Sequence, residues 1–264
     1  MNAVLRPRVI PCLQLIGDGL VKTVKFRAPA YIGDPINTVR IFNELEVDEL
    51  CFQDIRATIE GRQPNLKVLA DLASESFMPM SYGGGVRNLE IAKQVMRIGF
   101  EKVVVNSMAC EDPAIVTRLS EHFGSQAVVG SIDVKRGLLG RYQVSSHDGR
   151  RKFNKDVVAW AVRLQELGAG ELLVTSMDRD GTWTGFDVEM IRRVAHAVDI
   201  PVIASGGAGS LAHIKAVVTE GGAAAVALGS MVVYQARGMG VLVNFPDQAQ
   251  LAALFAEPAF RPTL

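Results

Sequence analysis

The chain has 264 residues, no formal net charge at neutral pH and an apolar fraction of 48%, which is enough to build a substantial buried core. A neutral charge balance excludes the electrostatic attraction that nucleic acids and anionic membranes require, so any anion must be bound locally. No segment approaches the roughly 18 apolar residues of a membrane span, and the first residues do not resemble a secretory signal.

Three cysteines are scattered along the chain, at Cys12, Cys51 and Cys110. Their odd number and their position in or beside apolar segments argue against a disulfide framework and against a metal cluster. We therefore expect a reduced protein of the cytoplasm, without a bound metal and without a cofactor.

Short β-branched segments alternate with longer amphipathic ones. Strands are predicted at residues 9–15, 49–55, 78–82, 102–106, 127–133, 172–176, 201–205 and 224–228. Helices are predicted between them, at residues 35–45, 65–74, 89–98, 113–122, 155–167, 187–198 and 210–220, with a last one near 246–256. Asp187 is predicted to cap a helix N-terminus, and Gly168 to end a helix.

Eight strands that alternate with helices predict a (β/α)8 barrel, formed as one domain by residues 1–264. An open, doubly wound sheet is the alternative. Two longer connections interrupt the pattern: residues 22–31 are predicted to form an active-site loop, and residues 137–152 an excursion after the fifth strand.

A repeat between the two halves of the chain favours the barrel, because eight strands divide into two halves of four. Gly84 and Gly207 lie in two glycine clusters, which are followed by Ser107-Met108 and Ser230-Met231. Both pairs of positions are 123 residues apart (207−84 and 230−107).

Both glycine clusters predict phosphate-binding turns. Glycine allows backbone N–H groups to approach a phosphate closely, and the N-terminus of a following helix adds a favourable dipole. The candidates form one set for each turn: Gly85, Asn106 and Ser107, and Gly181, Gly207, Gly229 and Ser230. The alternative is that these residues only make tight turns. The matched spacing favours a small-molecule substrate that is phosphorylated at both ends.

In a barrel of this kind the chemistry lies at the carboxyl ends of the strands. Asp133 ends the fifth strand between the two predicted phosphate sites, where a carboxylate can act as a general acid or base. Gln14 occupies the same level of the first strand, and an amide orients a substrate but does not exchange a proton near neutral pH. The histidines fall on predicted helices or on the excursion and are predicted to be surface residues: His122, His147, His196 and His213.

Four charged residues stand at the opposite ends of their strands, each at a strand start: Arg8, Glu49, Lys102 and Glu171. Two positive and two negative side chains could close the floor of the barrel as a ring of ion pairs. From the residues alone, two interpretations stay open. The ring is either a stabilising layer or a gate for a small molecule.

The chain resembles the cyclase subunit of imidazole glycerol phosphate synthase over almost its whole length. The resemblance rests on these segments: 8–13, 48–50, 82–85, 102–103, 123–128, 132–133, 168–171, 178–182 and 204–209. In that family a glutaminase subunit docks at the amino-terminal face as the partner in a heterodimer, and ammonia crosses the barrel to the opposite face.

The resemblance also implies roles for single residues. The family's four gate positions match Arg8, Glu49, Lys102 and Glu171, and its strand-five catalytic aspartate matches Asp133. Its phosphate-binding positions match Gly85, Asn106, Ser107, Gly181, Gly207 and Ser230, with serine in place of threonine at 107. One departure is severe, because Gln14 stands where the family has its second catalytic aspartate. The loop that follows, at residues 22–26, also differs.

The segment 240–246 resembles a separate branch of the family, which is linked to surface polysaccharides and to glycosyl amidation, and which works with a sugar amidotransferase. Three hypotheses follow. The chain conducts ammonia for that branch with weakened cyclase chemistry, it is a working cyclase of histidine biosynthesis, or it is a non-catalytic scaffold that activates the glutaminase. Because a missing general acid or base costs about 3–5 kcal/mol of barrier lowering, we favour the first hypothesis.

Overall fold

The computed structural model describes residues 6–137, 140–147, 149–153 and 155–256. In chain order the elements are β1 (Arg8–Ile16), β2 (Gly19–Val24), β3 (Arg27–Gly33), α1 (Pro35–Glu44), β4 (Leu50–Asp54), α2 (Leu66–Glu75), β5 (Met80–Gly83), α3 (Leu89–Ile98), β6 (Lys102–Val105), α4 (Ser107–Glu111), α5 (Ala114–Phe123), β7 (Val128–Arg136), β8 (Tyr142–Ser146), β9 (Arg151–Phe153), α6 (Val157–Glu166), β10 (Glu171–Ser176), α7 (Val188–Ala195), β11 (Val202–Ser205), α8 (Leu211–Thr219), β12 (Ala225–Leu228), α9 (Ser230–Val233) and α10 (Gln248–Ala256).

Eight parallel strands close into a barrel in the order β1, β4, β5, β6, β7, β10, β11 and β12. Closure is complete because β12 pairs with β1 and β7 pairs with β10. Helices follow the strands, so the predicted (β/α)8 barrel is confirmed and the open sheet is excluded. The turn after β5 and the turn after β11 lie four strands apart and therefore on opposite sides of the barrel mouth.

Alternation along each strand separates the barrel interior from the surrounding core. In β6, Val103 and Val105 pack outward against the helices, whereas Val104 belongs to the apolar cluster inside the barrel. The same alternation in β1 places Ile10 and Cys12 inside. Gln14 continues that inward-facing row at the carboxyl end of the strand.

Several helices begin and end where the side chains predict. The Asp187 carboxylate accepts a hydrogen bond from the backbone N–H of Met190, which satisfies one free donor in the first turn of α7. Gly168 follows α6 with a φ of 103°, and its backbone N–H bonds the carbonyl of Gln165. None of the helices in the described part of the chain has both the length and the apolar character that a bilayer crossing requires.

The sequence predicts two long connections without assigned strands. In the structure both fold as antiparallel hairpins. Residues 22–31 fall in β2 and β3, which extend the sheet from β1 through pairs such as Gln14 with Val21. The strand β7 runs on to Arg136 and pairs with β8, which pairs with β9. These strands have no clear signal in the sequence, because β3 and β9 are largely exposed and show no apolar alternation. Positions 138–139 and 148 of the predicted excursion lie outside the described residues.

Two short helices, α4 and α9, are also absent from the predicted elements. Each directly follows a barrel strand and begins at a predicted phosphate-site serine, Ser107 or Ser230. The proposed domain span of residues 1–264 stays a prediction, and its first five and last eight positions lie outside the described residues.

Candidate active site

A cavity of about 390 Å³ opens at the carboxyl ends of the barrel strands. Its lining contains all nine residues that the sequence predicts for the catalytic and phosphate-binding positions: Gln14, Gly85, Asn106, Ser107, Asp133, Gly181, Gly207, Gly229 and Ser230. Residues that are up to 216 positions apart (230−14) therefore share one cavity, as expected when parallel strands end at the same face.

The glycine turns require glycine for steric reasons. A Cβ atom on Gly84, whose φ is 118°, would lie 2.4 Å from the carbonyl oxygen of Asp54. A Cβ atom on Gly207, whose φ is 106°, would lie 2.2 Å from the carbonyl oxygen of Gly185. Both distances are far below van der Waals contact, so a side chain at either position would force the neighbouring backbone to shift.

His147 contacts Ser107 of the first predicted phosphate site, although the sequence predicts that His147 lies at the surface. Its backbone N–H donates to the Ser107 hydroxyl oxygen over 2.9 Å, and its ring Nε2 lies 3.0 Å from a Glu111 carboxylate oxygen. The side chain also lines the cavity and is 14% exposed. This contact depends on the β8–β9 hairpin, which folds back over α4, and nothing in the local sequence signals it.

Asp133 is held by an amide from the neighbouring strand. The side-chain nitrogen of Asn106 donates to a carboxylate oxygen of Asp133 over 2.7 Å. This bond fixes one side of the carboxylate and ties a predicted phosphate-site residue to the predicted general acid–base residue. A carboxylate oriented in this way can exchange a proton with a ligand in the cavity.

Gln14 bonds to the β2–β3 hairpin. Its amide oxygen accepts a hydrogen bond from the backbone N–H of Thr23 over 2.9 Å and lies 3.1 Å from the Thr23 hydroxyl. Because a backbone N–H only donates, its partner must be the amide oxygen, which fixes the orientation of the Gln14 amide. The amide nitrogen is then the part of Gln14 that can donate to a ligand in the cavity.

A buried ion pair that the sequence does not predict lies in the same cavity. Lys22 is 4% exposed, and its ammonium group donates to the Asp180 carboxylate over 2.8 Å and to the Thr23 carbonyl over 2.7 Å. The Lys22 stem also passes close to Gly229, where a Cβ atom would lie 2.9 Å from Lys22 Cε. A positive charge therefore stands beside the second predicted phosphate turn. The only available signal was a lysine within the apolar run at residues 20–24.

The four predicted gate residues form a closed ring at the amino-terminal end of the barrel. Arg8 bonds Glu49 over 2.7 Å and also bonds Glu171, while Lys102 bonds Glu49 over 2.9 Å and Glu171 over 3.0 Å. Burial alone would lower the pKa of Arg8, but the two carboxylates raise the pKa above its ordinary value. Arg8 therefore keeps its positive charge at neutral pH.

Apolar side chains separate this ring from the cavity. The inner cluster contains Ile10, Cys51, Val104, Val129, Leu173, Ile203, Ala225 and Ala227, with Cys12 packed against it. The cavity reaches down to Cys12 and Val104, and among the described residues that line it none belongs to the ring. Neutral molecules would meet few hydrogen-bonding groups along this interior, whereas ions would pay a large desolvation cost.

The described residues contain no group of three or more histidine, cysteine, aspartate or glutamate side chains that could hold a metal ion. Two other aspartates at strand ends have structural partners. Asp54 accepts hydrogen bonds from the backbone N–H groups of Arg56 and Ala57, and Asp178 accepts one from that of Arg136.

Comparisons with known proteins agree with this architecture. The family model described as histidine biosynthesis protein matches residues 8–237. A Pseudomonas aeruginosa protein, provisionally named subunit hisF2 of imidazole glycerol phosphate synthase, is 46% identical over 247 residues, which cover 94% of this chain and 98% of the relative. The Nostoc imidazole glycerol phosphate synthase subunit HisF is 40% identical over 250 residues, covering 94% and 96%.

The HisF subunit of Alkaliphilus metalliredigens is 44% identical over 227 residues, covering 86% of this chain and 90% of the relative. The family match at residues 8–237 spans both glycine turns and the four ring residues. The chain therefore belongs to the histidine biosynthesis protein family, among the HisF-type subunits of imidazole glycerol phosphate synthase.

Proposed function

We propose that this chain is the ammonia-accepting subunit of a glutamine amidotransferase complex whose cyclase chemistry is weakened. A HisH-type glutaminase docks at the amino-terminal face and forms a heterodimer with it. Ammonia then crosses the barrel to the cavity at the carboxyl ends of the strands. The product serves the amidation of a surface-polysaccharide sugar, together with a sugar amidotransferase. The weakened chemistry is inferred from Gln14, which stands where the family has a catalytic aspartate. Its amide oxygen is held there by hydrogen bonds from Thr23.

The ring and the apolar interior support the passage of ammonia. Ammonia is small and neutral, so it can cross an apolar interior that excludes ions. The ring blocks that route while it is closed, and the displacement of one side chain would open it. Arg8 is the most exposed of its four members, at 28% of its side chain. It is therefore the member that a docked partner reaches most easily.

An exposed aromatic ring supports docking at the same face. Phe77 precedes β5 at the amino-terminal end of the barrel and is 90% exposed. Its backbone N–H is held by the side-chain oxygen of Asn43, so the segment is anchored while the ring projects into solvent. Aromatic side chains on a fixed backbone are frequent anchors of protein interfaces.

The cavity retains one half of an acid–base pair. Asp133 is available as a general acid or base, whereas Gln14 presents N–H donors in place of a carboxylate. A positioned acid–base group contributes about 10²- to 10⁴-fold to a rate, so turnover of the cyclase substrate should fall by a factor of this size. The Gln14 amide instead favours a ligand with an oxygen acceptor at this point.

A working cyclase of histidine biosynthesis is the second candidate. It would combine ammonia with a ribulosyl carboxamide nucleotide to give imidazole glycerol phosphate and an aminoimidazole carboxamide ribotide. Two glycine turns on opposite sides of one cavity favour it, because they suit a substrate that is phosphorylated at both ends. Under the first candidate the same turns bind a different phosphorylated ligand.

The test is the rate of imidazole glycerol phosphate formation from the ribulosyl nucleotide and ammonium salts, measured beside the Nostoc HisF subunit. The proposal predicts a rate at least about 100-fold lower for this chain. A rate within a factor of about ten would instead establish the histidine-biosynthesis cyclase. If the chain stimulates a co-purified glutaminase but transfers no ammonia to any acceptor, it is a scaffold, and the proposal is wrong.

A further inference from the structure

A second cavity, of about 620 Å³, lies beside the mouth of the first. One wall is the tip of the β2–β3 hairpin, and the others are the end of β7 and the segments that follow β4, β8 and β10. The two cavities meet at Phe26 and Ile55, which line both. A molecule in the second cavity would therefore lie against the entrance to the substrate cavity.

The lining of this second cavity is strongly basic. Five cationic side chains from four segments surround it: Lys25, Arg27, Arg56, Lys135 and Arg150. Among the described residues of the lining, one carboxylate, that of Asp178, faces them, and it accepts a hydrogen bond from the backbone N–H of Arg136. The described part of the lining thus carries four more positive than negative charges (five minus one), although the whole chain has a formal net charge of zero.

None of these five cations has an ion-pair partner within the part of the chain that the structure describes. Other surface arginines of the same chain do pair, such as Arg40 with Glu75 at 2.7 Å and Arg118 with Asp112 at 2.5 Å. Five like charges around one cavity repel one another. An anion in the cavity would remove that repulsion and gain charge-assisted hydrogen bonds.

We propose that the second cavity binds the diphosphate group of a nucleotide-like or sugar-linked ligand. Three of the cations are arginines, whose planar guanidinium groups match two phosphate oxygens at once. Five cations from four segments suit a ligand with several charged oxygens better than a single carboxylate, which has only two. The two glycine turns already account for both ends of a doubly phosphorylated ligand, so this anion site lies outside that set. The inference does not depend on the ammonia route.

The test is titration calorimetry of the full chain with inorganic pyrophosphate. The substrate cavity also attracts phosphate, so it is blocked with Ser107→Asp/Ser230→Asp, which places a carboxylate in each turn. Pyrophosphate binding should persist in this variant and weaken as salt rises from 50 to about 300 mM, because the site is exposed to screening. Complete loss of binding in a variant with unchanged circular dichroism would overturn the proposal.

In the same background, Lys25→Ser/Arg27→Ser should weaken pyrophosphate binding by at least about tenfold, since two charge-assisted contacts disappear. The matched control is Lys67→Ser/Arg97→Ser, which removes the same charges from exposed positions of α2 and α3 and should change affinity less than about twofold. Arg56→Gln/Arg150→Gln checks the other walls and should also weaken binding.

Equal affinity in the hairpin variant and its control would contradict the assignment. Citrate serves as the polycarboxylate arm of the experiment. If citrate binds as tightly as pyrophosphate, the cavity does not select a diphosphate, and the proposed ligand class is wrong.

Discussion

The amide oxygen of Gln14 lies 2.9 Å from the backbone nitrogen of Thr23 and 3.1 Å from its hydroxyl. This contact joins the first barrel strand to the hairpin that follows it, and it leaves the amide nitrogen as the group of Gln14 that can donate to a ligand. The Thr23 hydroxyl also lies 3.2 Å from the Asp180 carboxylate. The departure at Gln14 is thus built into a hydrogen-bonded network.

Gln14→Asp should restore part of the missing acid–base chemistry. The shorter carboxylate cannot reach Thr23 as the glutamine does, but it stands at the level of Asp133 in the same cavity. Imidazole glycerol phosphate formation from ammonium salts should rise by about tenfold or more. Thr23→Ala is the control, since it removes the hydroxyl contact without adding a carboxylate and should not raise the rate. If Gln14→Asp gives no gain, the lost activity lies in the hairpin at residues 22–26 rather than at residue 14.

Asp180→Asn should destabilise the protein, because it leaves the buried Lys22 ammonium without its carboxylate. Removing one partner of a buried ion pair costs about 3–5 kcal/mol in the free energy of unfolding. Chemical denaturation measures this change. Glu90→Gln is the matched control, because Glu90 pairs with Lys93 on an exposed helix face and is 74% exposed, so its loss should cost less than about 1 kcal/mol.

The double variant Lys22→Met/Asp180→Leu should recover a large part of that stability, since apolar residues of similar volume replace both charges. It should also weaken phosphate binding at the second turn, where the Lys22 ammonium stands beside Gly229. A loss for Asp180→Asn no larger than that for Glu90→Gln would show that the pair is hydrated and adds little to stability.

Phe77→Ser should weaken docking of the glutaminase. Interface aromatics typically contribute about 2 kcal/mol or more when they lie near the centre of an interface, so the dissociation constant should rise by roughly 30-fold. Tyr31→Ser is the matched control, because Tyr31 is 70% exposed on β3, close to the opposite face. Surface plasmon resonance with immobilised glutaminase compares the two variants. Equal weakening, or none for Phe77→Ser, would place the partner elsewhere.

The barrel and most of its site follow from the sequence because parallel strands and the turns after them have strong local signals. The glycine spacing predicts two turns that the structure places on opposite sides of one cavity. The charged residues at strand starts predict a ring, and alternation in strands such as β6 explains why their neighbours face inward or outward. The predicted roles of these residues and the cytoplasmic location stay predictions.

The rest could not be predicted, because it depends on segments that fold back over the barrel. Lys22 belongs to a hairpin strand. Its buried ammonium group bonds the carboxylate of Asp180, which lies 158 positions further along the chain. His147 reaches the first glycine turn only because β8 and β9 return to α4. The basic cavity gathers side chains from four segments that are far apart in the chain. These contacts are long-range and polar, so no local periodicity reports them.

The most direct test of the central claim is to fill the barrel interior beside the ring. Ala225 is fully buried in the inner cluster and pairs in register with Arg8, whereas its neighbour Ala224 is exposed. Ala225→Leu adds bulk inside the barrel, and Ala224→Leu makes the same change outside it. Product formation by the heterodimer is measured for both variants, with glutamine and with ammonium salts as the nitrogen source.

Passage of ammonia through the barrel predicts that Ala225→Leu lowers the glutamine-dependent rate by about tenfold or more, an added barrier of about 1.4 kcal/mol, and leaves the ammonium-dependent rate within about twofold. Ala224→Leu should change neither rate. An unchanged glutamine-dependent rate in a folded Ala225→Leu variant, or an equal loss with both nitrogen sources, would contradict the account.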